Sequence, residues 1–200
     1  MIMKKNLQES TWKSKFGDSY TKRNQNGNRV NITGLDLLKN KLTIKSAIEF
    51  GSNVGLNLDT IKSLFPEVET FGIEINSKAH KILKKKHKSE NTSILDFRVT
   101  KKYDLVLICG VLIHQNPNDL NKIYKKLYNS SSKYIYLREY FSDKPVELDY
   151  RGKKGLLFKR DFAYDLIKMY PKLKIIDYGF HWKHDKFKNT DNENWFLFSK

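Results

Sequence analysis

From residue 43 to residue 140, short apolar runs alternate with amphipathic stretches, and that pattern predicts the elements of the chain. Lys45–Phe50 reads as a first strand, followed by a glycine-containing turn and a helix over Leu56–Leu64. Thr70–Ile75 reads as a second strand, with a helix over Lys78–His87 capped by Ser77. A short third strand is expected around Ser93–Leu95. Tyr103–Cys109 is almost wholly apolar, as a central strand covered on both faces must be. Leu120, Ile123, Leu127 and Tyr128 recur at helical spacing and predict a helix over Asn118–Asn129 before a fifth strand at Lys133–Glu139. A helix over Arg160–Met169 ends before Pro171, and strands follow at Lys174–Phe180 and Trp195–Ser199. Strand–helix alternation of this kind implies an α/β, doubly wound architecture built on a mostly parallel sheet.

The two ends of the chain read differently. Residues 1–42 are polar and helix-prone, with Trp12, Phe16 and Tyr20 four apart on one helical stripe, and are expected to form an N-terminal helical cap on a core over residues 43–200. No repeat or linker divides the chain, so one structural domain is expected. The stretch from Glu139 to Phe162 is too long for a simple turn, shows no clear helix or strand and is rich in polar aromatics. Connections of that kind are often functional.

Composition narrows the class. Two hundred residues with 12 Phe, 11 Tyr and 3 Trp are enough to bury a sizeable core. The single cysteine, Cys109, excludes an intramolecular disulfide and a cysteine-rich zinc site. His80, His87, His181 and His184 lack metal-ligand spacing with acidic partners, so no metal is expected, and His80 and His87 are expected in solvent. The charged start MIMKKNLQES has no apolar region behind it, and the longest apolar run, Leu105–Ile113, falls far short of the roughly 20 residues a membrane span needs. A cytoplasmic protein without a membrane span is the expectation. The net charge of +16 comes mostly from lysine, with arginine only at positions 23, 29, 98, 138, 151 and 160. Sequence-specific readers of nucleic acid favour arginine, so the charge reads as compositional drift, and a nucleic-acid partner is not the leading expectation.

The chemistry first shows at the end of the first strand, in Glu49-Phe50-Gly51-Ser52-Asn53-Val54-Gly55-Leu56-Asn57. Glycines there let the chain turn tightly and let a ligand approach the backbone before a helix begins. The spacing is G-x-x-x-G, with Asn53 in place of a middle glycine and a carboxylate just ahead of the turn. A pyrophosphate is repelled by Glu49, which argues against a dinucleotide and hence against a Rossmann dehydrogenase. S-adenosylmethionine carries a sulfonium and an ammonium, which a carboxylate suits. Glu74, 25 residues later at the end of the second strand, is placed to accept hydrogen bonds from ribose hydroxyls, with Ile75 beside it. Ser93, Ile94 and Asp96 follow the third strand, where an adenine ring is expected to lie.

These motifs resemble those of class I S-adenosylmethionine-dependent methyltransferases, which share the E-x-G-x-x-x-G turn (Glu49, Gly51, Gly55) and the strand-four pattern Tyr103-Asp104-Leu105-Val106. A narrower set is similar to the pseudaminic acid biosynthesis-associated methylases. It comprises Phe16-Gly17-Asp18-x-Tyr20-x-x-Arg23-Asn24, Glu49-Phe50-Gly51-x-Asn53-x-Gly55-Leu56-Asn57, Gly110-Val111-Leu112-Ile113-His114, Pro145-Val146-Glu147-x-x-Tyr150-Arg151-Gly152, Phe158-Lys159-Arg160-Asp161-Phe162 and Asp177-Tyr178-Gly179-Phe180. The resemblance runs from about Trp12 to the C-terminus. It implies a Rossmann-like methyltransferase fold with a seven-stranded sheet and helices on both faces. It also implies methyl transfer from S-adenosyl-L-methionine to a sugar or nucleotide-sugar in bacterial surface glycan synthesis. Besides the residues above, Ser52, Asn57, Cys109, Gly110, Tyr20, Arg23 and Asn24 are expected around the cofactor.

Methyl transfer asks the protein to align donor and acceptor, exclude water and take a proton. His114, after the fourth strand, is the expected catalytic base because histidine titrates near neutral pH. Glu139, Tyr140, Tyr150, Arg151 and Lys159 are expected to form the acceptor pocket, with Arg151 suited to a carboxylate or phosphate. Two alternatives stay open. An RNA methyltransferase would use the positive charge, although the Asn/Asp-Pro-Pro-aromatic signature of base amino-methylases is replaced here by Gly110–His114. A non-catalytic S-adenosylmethionine-binding module would keep the fold without the transfer.

Overall fold

The structure, a computed structural model, describes residues 6–25, 39–185 and 191–200; the rest of the expected cap over 1–42 lies outside the described residues. Two short helices come first, α1 (Leu7–Lys13) and α2 (Lys15–Asn24). They replace the single helix expected to carry Trp12, Phe16 and Tyr20. Ser14 breaks it: its backbone is extended (φ −91°, ψ −175°), and its hydroxyl accepts the Phe16 N–H at 3.2 Å to cap α2. The corner needs Gly17, because a Cβ there would lie 2.0 Å from the Trp12 carbonyl oxygen.

Seven strands form one sheet: β1 (Ser46–Phe50), β2 (Glu69–Ile73), β3 (Lys88–Glu90), β4 (Tyr103–Cys109), β5 (Ser131–Tyr140), β8 (Lys174–His181) and β9 (Glu193–Ser199), in the order β3-β2-β1-β4-β5-β9-β8. The pairs from β3 to β5 are parallel, and β9 is antiparallel to both β5 and β8. The expected mostly parallel, seven-stranded, doubly wound sheet is thus what the chain forms. The chain winds outward from β1 through β2 to β3, then returns to place β4 on the other side of β1. In doubly wound sheets ligands bind at such a reversal, beyond the carboxyl ends of the strands, here β1 and β4.

Leu105, Val106, Leu107 and Ile108 of β4 are fully buried, because side chains alternate between two covered faces. On one face Ile48, Phe50, Val106, Ile108, Ile135 and Leu137 pack with helices α5 (Leu120–Ser130) and α6 (Phe162–Met169). On the other, Ala47, Leu105, Leu107, Tyr136 and Leu197 meet Ile61 of α3 (Leu56–Leu64). In α5, Leu120, Ile123, Tyr124 and Leu127 supply the stripe, each buried side chain contributing about 1.5–3 kcal/mol relative to exposure. No helix among the described residues is long and apolar enough to cross a membrane.

Four expectations are corrected. The third strand is Lys88–Glu90, whereas Ser93–Leu95 lies in a turn; the helix expected to reach His87 (α4, Ser77–Leu83) stops four residues earlier and is capped by Asn76 rather than Ser77. Lysine-rich sequence hid a polar edge strand that needs no apolar face. His87, expected in solvent, is buried: its Nδ1 lies 2.8 Å from the Thr70 hydroxyl and its Nε2 3.0 Å from Asp59. The stretch after β5 is not irregular but a β-hairpin, β6 (Val146–Tyr150) and β7 (Lys153–Lys159). Arg151 and Gly152 form its two-residue turn, both at positive φ (53° and 73°), as a primed turn requires.

Candidate active site

The turn after β1 is built from left-handed residues: Gly51 (φ 78°), Asn53 (φ 47°) and Gly55 (φ 88°). A Cβ on Gly51 would lie 2.6 Å from a Val111 methyl, and one on Gly55 2.8 Å from Leu83. Asn53 tolerates the conformation as few side chains do, and its Oδ1 accepts the Val54 N–H at 2.8 Å. Gly51 and Ser52 both donate their N–H to the Ile73 carbonyl at 2.9 Å, and the Ser52 hydroxyl donates to the Glu49 carbonyl, also at 2.9 Å. The turn is therefore fastened to the end of β2.

Three buried carboxyl groups stand at the carboxyl ends of β1, β2 and β5: Glu49, Glu74 and Glu139, at 1%, 6% and 1% exposure. Glu49 accepts a hydrogen bond from the Asn57 side chain with one oxygen, while its Oε2 has no partner among the described residues. Burial pushes its carboxyl up to about 8. Glu74 accepts the Asn53 N–H and the Asn76 N–H, each at 2.7 Å, and burial raises it to about 7. It thus braces the glycine turn. A carboxylate oxygen has two lone pairs, so both oxygens of Glu74 keep acceptor capacity. Ile75 is half-buried beside it.

Glu139 corrects an expectation. Rather than lining the acceptor pocket, its Oε1 accepts the N–H groups of Val111 and Leu112 at 3.0 Å, and its Oε2 that of Ile113 at 3.3 Å. It is buried and raised to about 7, and it fastens the turn that carries His114. His114 is sandwiched between the rings of Trp12 and Tyr150, each 4.8 Å away between centroids. Its Nδ1 lies 2.5 Å from the Leu156 carbonyl on β7. A carbonyl only accepts, so the proton sits on Nδ1 and Nε2 carries the lone pair. Burial lowers the pKa to about 4, so this histidine does not titrate near neutral pH as expected; it is a neutral ring throughout the physiological range.

The other expected residues fall in four places. Tyr20 packs edge-on against Trp12 at 5.3 Å, Arg23 lies over the Tyr20 ring at 5.7 Å, and Asn24 is buried with its amide donating to the Tyr20 carbonyl at 3.0 Å. Ser93 and Ile94 are buried after β3; the Ser93 hydroxyl accepts the N–H of the exposed Asp96 at 3.0 Å. Cys109 ends β4 with its thiol pushed well up by burial, and Gly110 (φ 64°) donates its N–H to Arg138 O at 2.8 Å. Tyr140 is half-buried beneath Lys159, whose ammonium is 5.3 Å from the ring centroid. Lys159 is committed to Asp191 at 2.6 Å, which leaves it a poor free cation for an acceptor. Arg151 is exposed at the hairpin turn, 5.8 Å from the Tyr150 ring.

Two residues escaped the sequence reading. Asn76 is buried; its amide donates to the Trp12 carbonyl and to Asp18, both at 3.0 Å, and so ties the N-terminal helices to the end of β2. The Asx cap before a helix was its only signal. Trp12, expected only on the apolar stripe of the cap, lies against the His114 ring.

No protein-family profile and no curated protein matches the sequence. Solved structures do match by shape. The 1,6-didemethyltoxoflavin-N1-methyltransferase of Burkholderia thailandensis, solved with bound 1,6-didemethyltoxoflavin and S-adenosylhomocysteine, aligns over 96% of this chain and 88% of its own with a TM-score of 0.74 and 11% identity. The magnesium protoporphyrin IX methyltransferase of Synechocystis, with bound S-adenosylhomocysteine, covers 96% and 97% at TM-score 0.66 and 13% identity. An S-adenosylmethionine-dependent methyltransferase of Clostridium acetobutylicum covers 92% and 97% at TM-score 0.59 and 12% identity. At such identities the likeness is one of architecture, and the chain has the Rossmann-like methyltransferase fold.

Proposed function

We propose that this protein is a cytoplasmic S-adenosylmethionine-dependent methyltransferase acting on a small acceptor, a sugar or nucleotide-sugar of bacterial surface nonulosonic (pseudaminic) acid glycan synthesis. The observation that carries the cofactor is Glu49, a carboxylate buried at the switch point with one oxygen unpartnered beside a left-handed turn. A buried carboxyl with an open oxygen suits a cation that ionises it on binding, and the ammonium of the cofactor's amino-acid end fits it. In this reading residues 1–42 form the cap and residues 43–200 the core. The turn from Gly51 to Gly55 admits the ligand to the backbone, and Glu74 uses its spare lone pairs on the ribose. Ser93, Ile94 and Asp96 flank the adenine, and Tyr20, Arg23 and Asn24 close over the amino-acid end. When bound, S-adenosylmethionine would supply a sulfonium methyl group, which the acceptor's oxygen or nitrogen would take as the carbon–sulfur bond breaks and S-adenosylhomocysteine leaves.

His114 accepts the hydrogen bond of the acceptor's O–H or N–H at Nε2 and takes its proton. With so low a pKa it is a weak base, and most of its effect is orientation. The acceptor class is supported by the motif resemblance along the chain, and by neighbours whose names carry small-molecule substrates.

Calorimetry with S-adenosylmethionine, S-adenosylhomocysteine and a NAD control tests the cofactor. Micromolar binding of the first two, about −8 kcal/mol, is expected, and no heat at millimolar ligand refutes the assignment. Glu74→Ala is expected to weaken that binding at least tenfold with an unchanged circular dichroism spectrum. His114→Ala is expected to lower turnover on a nucleotide-sugar panel while S-adenosylhomocysteine affinity holds. A near wild-type rate removes His114 from the reaction.

A further inference from the structure

Cations near the His114 cluster differ in whether they are already paired. Lys159 is held by Asp191 at 2.6 Å, Arg160 by Asp165 at 2.7 Å, Arg138 by Glu193 at 3.6 Å, and Lys78 by Asp18 at 2.7 Å. Arg151 and Lys153 take part in no ion pair among the described residues, and both sit at the tip of the β6–β7 hairpin. Their placement is specific. Tyr150 and Lys153 are directly opposite in the ladder, so they share one face of the hairpin, whereas Lys154 points to the other. The Lys153 ammonium lies 5.2 Å from the Phe16 ring centroid, and Phe16 meets Tyr150 edge-on at 6.0 Å. Tyr150 in turn lies 4.8 Å from His114 and 5.8 Å from the Arg151 guanidinium. Two cations thus rest on two aromatic rings of the cluster that encloses His114. The hairpin that holds them is pinned by the Leu156 carbonyl to His114 and by the Gly155 carbonyl to the Gln8 side chain at 2.7 Å.

We infer that Arg151 and Lys153 form a phosphate clamp beside the aromatic cluster around His114, which holds a phosphorylated acceptor by its charged end. The inference rests on the methyltransferase reading for its functional meaning, but the clamp is a physical site that exists without it. Arg151 offers a planar fork to two phosphate oxygens from the hairpin turn, and Lys153, two residues on, adds a second charge. Phosphate oxygens gain from both, and the rings beneath keep the cationic heads from wandering. A phosphate end held there leaves the rest of the acceptor to reach inward past Tyr150 toward His114. The exposed position makes the attraction strongly salt-dependent.

The test uses the full chain saturated with S-adenosylhomocysteine and two probes, inorganic pyrophosphate and cytidine 5′-monophosphate, titrated at low salt with the Trp12 indole N–H followed by NMR. Four proteins are compared: the unaltered chain, Arg151→Asn, Lys153→Gln and Lys154→Gln. Asparagine keeps the left-handed turn, and Lys154→Gln removes the same unit charge from the opposite face. The expected result is millimolar or tighter binding of both probes, weakened about tenfold by Arg151→Asn or Lys153→Gln, equivalent to about 1.4 kcal/mol. Lys154→Gln changes it little. Absence of binding in the unaltered chain overturns the clamp, and so does equal weakening by Lys154→Gln, which would mean diffuse attraction to a basic surface. Binding of cytidine monophosphate without pyrophosphate, unaffected by the variants, overturns it too, because the base would then carry the contact. Failure of S-adenosylhomocysteine to bind while the probes do would refute the methyltransferase reading and leave the clamp standing.

Discussion

Glu49 shows how one residue couples burial to ligand chemistry. Its carboxyl titrates near 8 in the free protein because water is excluded from it and one oxygen lacks a partner. A cationic group binding there favours the ionised form, so near pH 7 binding must expel a proton. Affinity for S-adenosylhomocysteine is therefore expected to rise from pH 6 to pH 8, by up to about tenfold per pH unit below the pKa. Calorimetry in two buffers of different ionisation heat measures the proton directly. A flat pH dependence with no proton released means that Glu49 does not face the ammonium. Glu139 carries a similar burial cost for a different purpose: its two oxygens gather three backbone N–H groups of the turn before His114. Its position at a strand end made it look like a pocket residue in sequence, since nothing local reveals which way a buried carboxylate turns.

At the scale of elements, the corner between α1 and α2 and the β6–β7 hairpin together build the walls around His114. Gly17 makes the corner possible, since any Cβ there would overlap the Trp12 carbonyl and crowd the Asn76 amide. Gly17→Ala is expected to force the two helices apart and cost about 1–3 kcal/mol or more, seen as a lower melting temperature. Because Trp12 then shifts from His114, Trp12 fluorescence should change with it. A variant as stable as the parent would show that the corner relaxes freely. The hairpin was legible in part: Val146, Leu148 and Tyr150 alternate with Glu147 and Asp149, a period-two signal ahead of a glycine turn. Arg-Gly is a less familiar turn pair than Asn-Gly, and it reads as a hairpin once Arg151 is seen at positive φ.

Across the whole molecule, buried ionisable groups set how stability follows pH. Glu49, Glu74 and Glu139 have native pKa values of about 8, 7 and 7, above the ordinary 4.5. A carboxyl with a raised native pKa binds more protons when folded, so stability falls as pH rises from about 4.5 through 7 to 8. His114, lowered to about 4 from 6.5, acts oppositely: it favours the folded chain above pH 6.5 and loses that advantage as pH falls toward 4. Between pH 6.5 and 8 the three carboxyl groups outweigh the remaining histidine contribution of His114 and His87, and the ligand-free protein is expected to melt lower at pH 8 than at pH 6.5. Each kcal/mol lost corresponds to roughly 2–4 °C. Scanning calorimetry at the two values checks it, and a higher melting temperature at pH 8 contradicts the burial of these groups.

By itself the sequence determined the order of strands and helices in the parallel core, the glycine turn, and the two acidic strand ends. Those features are local: a helical or strand period and a turn residue each report on a few neighbours along the chain. Leu56–Leu64 and Tyr103–Cys109 match their expected bounds for that reason. Tertiary structure alone decided that Glu139 grips a turn, that Lys159 belongs to Asp191, that His87 is buried and that His114 is neutral. Each depends on a partner far away in sequence, and burial, which moves the pKa values, is a property of the packed molecule rather than of any segment. The polar edge strand Lys88–Glu90 belongs with these, because its strand character comes from pairing with β2 and not from its own side chains.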